Sequence, residues 1–205
     1  MNKNKASKIF PIVLIALIVV FAIFVLVSVG KLIFKPGEKT TVNQPANNQV
    51  APLDELLDTS ADRSVRVTVR GQIVANENFR SYQVVVSPSE RRMVVYKSYL
   101  SETIDSINIS NNLPAYTEFV HALSKAGLAR SKPFPAGADD VRGICASGTL
   151  VEFDLLKGGE SVYHVWTSTC GGSKGSLGVS ESGLRDLFLK QIPDNNKLLS
   201  TYNKR

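Results

Sequence analysis

The chain holds two cysteines, Cys145 and Cys170, and two histidines, His121 and His164. Thiols and imidazoles are the side chains best placed for nucleophilic or metal chemistry near neutral pH, so their spacing decides which chemistry is open. Neither histidine stands at ligand spacing from a cysteine. A zinc site draws its four donors from tight local pairs, so no metal is expected. Asp139 and Asp140 lie in a loop rich in Pro and Gly with no third acid in register, which argues against calcium. Gly171 to Ser176 departs from the phosphate-cradling pattern G-x-x-x-x-G-K-[ST], because Lys174 precedes the closing glycine. It reads as a turn, and no cofactor is implied.

The cysteines take their position from a hairpin. Thr149 to Leu155 and Val162 to Thr169 are strand-like runs on either side of Lys157-Gly158-Gly159-Glu160, a strong turn signal. If the loop is Leu156 to Gly159, Phe153 meets Val162, Val151 meets His164, and Cys145 meets Cys170 directly. If it is Gly158-Gly159 alone, the pairing shifts by two and the cysteines become diagonal neighbours. Both registers put the cysteines on the face that carries Val151, Phe153, Leu155 and Trp166, since a shift of two keeps the parity. That face is expected to be buried, with His164 a satisfied core residue and Glu152 and Asp154 solvated on the other side. An adjacent pair with no other cysteine suggests a disulfide, worth about 3.5 kcal/mol in the chain-entropy model and durable only in an oxidising compartment. Two buried free thiols are the alternative.

Thr167-Ser168-Thr169-Cys170 resembles the strand end that bears the nucleophile in sortases, which are also membrane-anchored β proteins. The resemblance spans about four residues. It implies a cysteine transpeptidase with Cys170 as nucleophile, an upstream histidine and a downstream arginine, roles for which His121 and Arg185 are at hand. The two readings of Cys170 exclude each other, because a nucleophile needs a free sulfur.

The elements that would carry these residues follow from periodicity. Val65-Arg66-Val67-Thr68-Val69-Arg70-Gly71-Gln72-Ile73 alternates apolar and polar, giving a strand with one dry face and Arg66 and Arg70 solvated on the other. Tyr82 to Val86 and Met93 to Tyr99 flank a Pro, Ser and charge cluster as a second hairpin. A polar connection follows, and in it Asn108-Ile109-Ser110 fits a glycosylation acceptor. From Pro114, the residues Tyr116, Phe119, Val120 and Leu123 form a helical stripe. A second helix carries Leu184, Leu187, Phe188 and Ile192 after a cap at Ser180 or Ser182 and ends at Pro193. An offset of 69 residues lays Val84 on Phe153, Val95 on His164 and Phe119 on Phe188, the pattern of a ββα duplication. The expected class is α+β: antiparallel hairpins with two helices packed on one face.

Ahead of this domain, Ile9 to Gly30 contains no charged side chain. As a helix it would be about 33 Å long, enough to cross a hydrocarbon core of about 30 Å. It is too long for the apolar region of a cleaved signal and lacks a small-residue cleavage site, so it reads as an uncleaved signal anchor in contact with the bilayer. The expected order is a cytoplasmic segment 1–8, the anchor 9–30, a juxtamembrane collar and linker 31–62, an extracytoplasmic domain 63–194 and a polar, frayed tail 195–205. The net charge of +6 is concentrated near the anchor, since residues 51–205 hold 18 basic and 17 acidic side chains. That balance gives no footprint for nucleic acid. The functional expectation is a single-pass, membrane-tethered module that binds or scaffolds an envelope protein or glycan.

Overall fold

The valines of the first strand anchor the architecture seen in the computed structural model, which describes residues 52–135 and 137–204. The expected segment 1–8, the anchor Ile9 to Gly30 and the linker up to residue 51 lie outside the described residues. Among the described residues no helix is long and apolar enough to cross a membrane. Strand β1 (Arg63–Arg70) is central. Strands β2 (Ser81–Val86), β3 (Glu90–Lys97) and β4 (Glu102–Ser110) extend the sheet to one side by successive antiparallel pairing. Strand β5 (Leu150–Lys157) pairs with the free side of β1, and β6 (Glu160–Ser168) follows it. The result is one antiparallel sheet in the order β4-β3-β2-β1-β5-β6.

Helices α1 (Pro52–Leu57), α2 (Leu113–Lys125), α3 (Glu181–Leu189) and α4 (Asn195–Asn203) all contribute to a core on one face of that sheet. Asn112 caps α2 by accepting a hydrogen bond from the Ala115 N–H at 3.0 Å, and Pro114 occupies the first turn, where no backbone donor is needed. The expected stripe of Tyr116, Phe119, Val120 and Leu123 is buried against Val67, Val84 and Phe153 in the same core. The α+β antiparallel design therefore stands, with four α-helices rather than two among the described residues.

Three sequence expectations are corrected. The stretch read as a polar connection contains β4, an edge strand whose exposure on both sides dilutes the alternation of Ile107 and Ile109. The tail read as frayed forms α4, held by buried Leu198 and by Tyr202, whose ring meets Tyr82 edge-on at 5.1 Å. The third correction is one of register. The β5–β6 turn is the two-residue Gly158-Gly159 loop, with Lys157 opposite Glu160, but the pairing then slips by one residue beyond Leu156. Phe153 faces Val165 instead of Val162, Glu152 faces Trp166, and Asp154 faces His164. A one-residue slip turns every later side chain of the strand to the opposite face, which removes His164 and Trp166 from the core side. It also breaks the 69-residue offset, since Val84 opposite Met93 would demand Phe153 opposite Val162.

The two edges of the sheet differ. Along β6, Leu177 donates its N–H to the Trp166 carbonyl at 2.9 Å, and the Trp166 N–H donates to Ser176 Oγ at 3.2 Å. Gly175, at φ +70°, makes this approach feasible, because a Cβ there would overlap the Trp166 carbonyl. β4, at the other edge, is exposed along most of its length.

Candidate functional site

Alternation sends one set of side chains from β1, β5 and β6 into the core and the other set to the opposite face, which is helix-free among the described residues. On that second face stand Arg66, Thr68 and Arg70 of β1, Glu152 and Asp154 of β5, and His164 and Trp166 of β6. Arg66 lies opposite Asp154, and its Nε donates to Asp154 Oδ2 at 3.0 Å. Arg70 Nε donates to Glu152 Oε1 at 2.6 Å. His164 bridges two carboxylates, with Nδ1 at 2.6 Å from Asp139 Oδ2 and Nε2 at 3.4 Å from Glu152 Oε2. Asp139 belongs to the loop that joins α2 to β5, and its other oxygen accepts a hydrogen bond from Trp166 Nε1 at 2.8 Å. Phe134, from the same loop, packs over the Trp166 ring at 5.9 Å. Thr68 continues the row through Gln83, whose Nε2 donates to Thr68 Oγ1 at 3.1 Å.

Although no helix among the described residues covers this face, Glu152 and Asp154 are only 6% and 5% exposed. They are buried by each other's neighbours, so the expected solvated positions are in fact a desolvated ladder. Charges taken out of water need partners, and these have them: Arg66, Arg70 and protonated His164 balance Asp139, Glu152 and Asp154. Burial alone would lower the His164 pKa. Hydrogen bonds to Glu152 and Asp139, with the charges of Asp154 and Asp139, overcome it and raise the value to about 9. Burial likewise pushes Glu152 up, but its bonds to His164 and Arg70 outweigh that and hold it below the ordinary carboxylate range.

This chemistry suits a clamp more than a catalyst. A general base at neutral pH needs a vacant ring nitrogen and a pKa near 7, and His164 has neither. Its cation instead ties the α2–β5 loop to the sheet through Asp139. Among the described residues, no group of three or more His, Cys, Asp or Glu side chains is arranged to hold a metal ion.

The same loop carries Cys145, and its sulfur lies at disulfide distance from Cys170, with Cα atoms 5.3 Å apart. The cysteines are not strand residues facing each other across the hairpin. They sit in the segments just before β5 and just after β6, where Thr169 donates its N–H to Thr149 O at 3.0 Å and extends the pairing toward them. Gly148 is required beside the bond, because a Cβ there would overlap Thr169 Oγ1 and Cys145 Sγ. Of the residues implied by the transpeptidase resemblance, Cys170 is bonded to Cys145 and Arg185 pairs with Glu181 at 3.5 Å, while His121 stands exposed on α2.

A cleft of about 340 Å³ opens elsewhere, lined by Gly71, Gln72, Val74, Asn78, Arg80, Tyr202 and Asn203. None of the ladder residues lines it. Sequence reasoning missed the ladder because it joins β1 to strands more than 80 residues later, as in the Arg70 to Glu152 bond. The available signal was a pair of acids on one parity of a strand and a pair of arginines on one parity of another. No protein-family model matches the chain, and neither a curated protein nor a solved structure is detectably similar to it.

Proposed function

We propose that the chain is a membrane-tethered extracytoplasmic module that binds or scaffolds a protein or glycan at the cell envelope. The observation that carries the reading is the Cys145–Cys170 pair: sulfurs at bonding distance across a 25-residue separation are what an oxidising compartment preserves. The uncharged run Ile9 to Gly30 supplies the tether, with the N-terminus cytoplasmic. The helix-free face, where Arg66, Arg70, Gln83 and Tyr96 are half-buried and Arg92 is exposed, offers a polar partner hydrogen-bonding groups on a rigid sheet.

The test uses the full chain in its membrane. Protease added to intact cells should digest the part beyond residue 50, and a membrane-impermeant maleimide should label neither cysteine until reductant is supplied. Protection of that part until lysis would overturn the topology. A thiol that reacts without reductant would overturn the disulfide argument and favour the transpeptidase reading, with Cys170 as nucleophile.

A further inference from the structure

The exposed edge strand β4 ends in Ser106-Ile107-Asn108-Ile109-Ser110, a sequence that reads the same in both directions about Asn108. We infer that this edge pairs with the β4 of a second copy of the chain, antiparallel and two-fold about Asn108, to make one continuous sheet across two molecules. The inference is independent of the function proposed above.

Four features of β4 favour a second copy as the occupant. First, an antiparallel copy in this register opposes each residue with its own kind: Ser106 with Ser110, Ile107 with Ile109, and Asn108 with Asn108. Second, the five residues carry no charge, and Asp105 comes opposite Asn111 of the second copy, so no like charges meet. Third, the hydrogen-bonding parity is satisfied. On an edge strand the free N–H and C=O groups belong to alternate residues, so a strand can pair with itself only where opposed residues share a parity, as they do here. Fourth, the faces agree. Ile107 pairs with Met93 and Ile109 with Arg91, which places both isoleucines on the core side, and Ile107 already packs against the core. Four isoleucines would then carry the apolar layer across the seam.

The helical layer leaves room. Helix α4 lies over β3 and β4. With strands spaced about 4.8 Å apart, the two copies of α4 would be separated by about 10 Å or slightly more, a normal helix-packing distance. The other edge cannot serve in the same way, since the Ser176–Leu177 segment already occupies the backbone of Trp166. An uncovered strand of nine residues is a liability that folded proteins usually blunt, and self-pairing removes it.

The experiment uses the full chain in detergent. Asn108→Cys places two thiols at the two-fold axis, with Cβ atoms about 5 Å apart, and a short bis-maleimide should convert most of the protein to a covalent dimer. Glu102→Cys lies at the far end of β4, about 40 Å from its copy in this arrangement, and should not cross-link. Asn108→Asp is isosteric; within one molecule it exchanges the 3.2 Å hydrogen bond that Asn108 Nδ2 donates to Glu90 Oε2 for a like-charged neighbour, with Arg92 directly opposite on β3 as counter-charge. Across the axis it sets two carboxylates face to face, so the dimer dissociation constant measured by sedimentation should rise about tenfold while circular dichroism stays unchanged. A chain that sediments as a monomer at all concentrations overturns the proposal. So does a dimer that cross-links through Glu102→Cys, or one that Asn108→Asp leaves intact, because its contact then lies in the anchor or on another surface.

Discussion

β1 and β5 present two surfaces of opposite character from alternate residues of the same paired strands. On one side Val65 lies opposite Leu155, Val67 opposite Phe153 and Val69 opposite Val151, all within the core. On the other, Arg66 lies opposite Asp154 and Arg70 reaches Glu152. The apolar side is held by area, which is non-directional. If β5 slid by two residues, a valine would still face an apolar partner. The ionic side responds to such a slide, because Arg66 then faces Glu152 or Leu156 in place of Asp154 and the native pairing of these charges must be remade. One face therefore supplies most of the free energy of association between these strands, and the other selects the register.

Breaking the apolar side should have the largest effect. Phe153 is fully buried and its ring packs 6.0 Å from Phe188, so Phe153→Ala should cost about 3–5 kcal/mol in urea-induced unfolding. A loss below about 1 kcal/mol would show that the aromatic centre is not the core's main support. Glu152→Gln should cost less, about 2 kcal/mol. It leaves His164 and Arg70 facing a neutral amide, but their side chains are 22% and 32% exposed, so water screens part of the imbalance. Equal losses in the two variants would contradict the division of labour.

The same contrast explains what the sequence could convey. The apolar face was legible, since its period-two valines and the stripe of α2 identify themselves without knowledge of their partners. Arg66 and Arg70 look like solvated residues when read locally; only the adjacency of β1 and β5 turns them into ladder members, and nothing near residue 70 announces residue 152. The displacement of His164 and Trp166 has a different cause. The β-bulge beyond Leu156 is a one-residue event with no glycine or proline to mark it, yet it reverses the face of everything that follows. The cysteine pair was legible despite this error, because its segments lie beyond the strand ends, where the parity of β6 no longer governs them.

A pH titration sharpens the comparison with a smaller effect. His164 has its folded pKa raised to about 9 from an ordinary value of 6.5. Its contribution to stability is therefore fully present below about pH 6.5 and is lost as pH rises through about 9. Glu152 works in the opposite sense: its folded pKa is lowered, so its contribution fades as pH falls. The groups facing His164 are Asp139 from the loop, Glu152 and Asp154 from β5, and, through them, Arg70 and Arg66 from β1. The urea midpoint of the unaltered protein should decline between pH 7.5 and 10 relative to His164→Gln. Emission from Trp166, the single tryptophan, should change over the same range as Asp139 loses its cationic partner. Parallel pH curves for the two proteins would show that His164 is not the titrating clamp.

The smallest change in stability should come from removing a whole ion pair at once. Arg66→Met together with Asp154→Leu replaces a buried carboxylate and its half-buried arginine by side chains of similar volume, and such exchanges are close to neutral or stabilising because the desolvation cost disappears with the attraction. Global stability should stay within about 1 kcal/mol of the original, whereas either single substitution should cost more, since it strands one charge. The consequence should appear in uniqueness rather than stability. With Arg66 and Asp154 apolar, the β1–β5 contact loses one of the two ionic contacts that distinguish the native register from one displaced by two residues. Backbone amide resonances of β1 and β5 should then broaden or double while those of β3 stay sharp. If the double variant keeps a single sharp set of resonances throughout, register is set by the apolar side alone, and the two faces do not divide the work as argued.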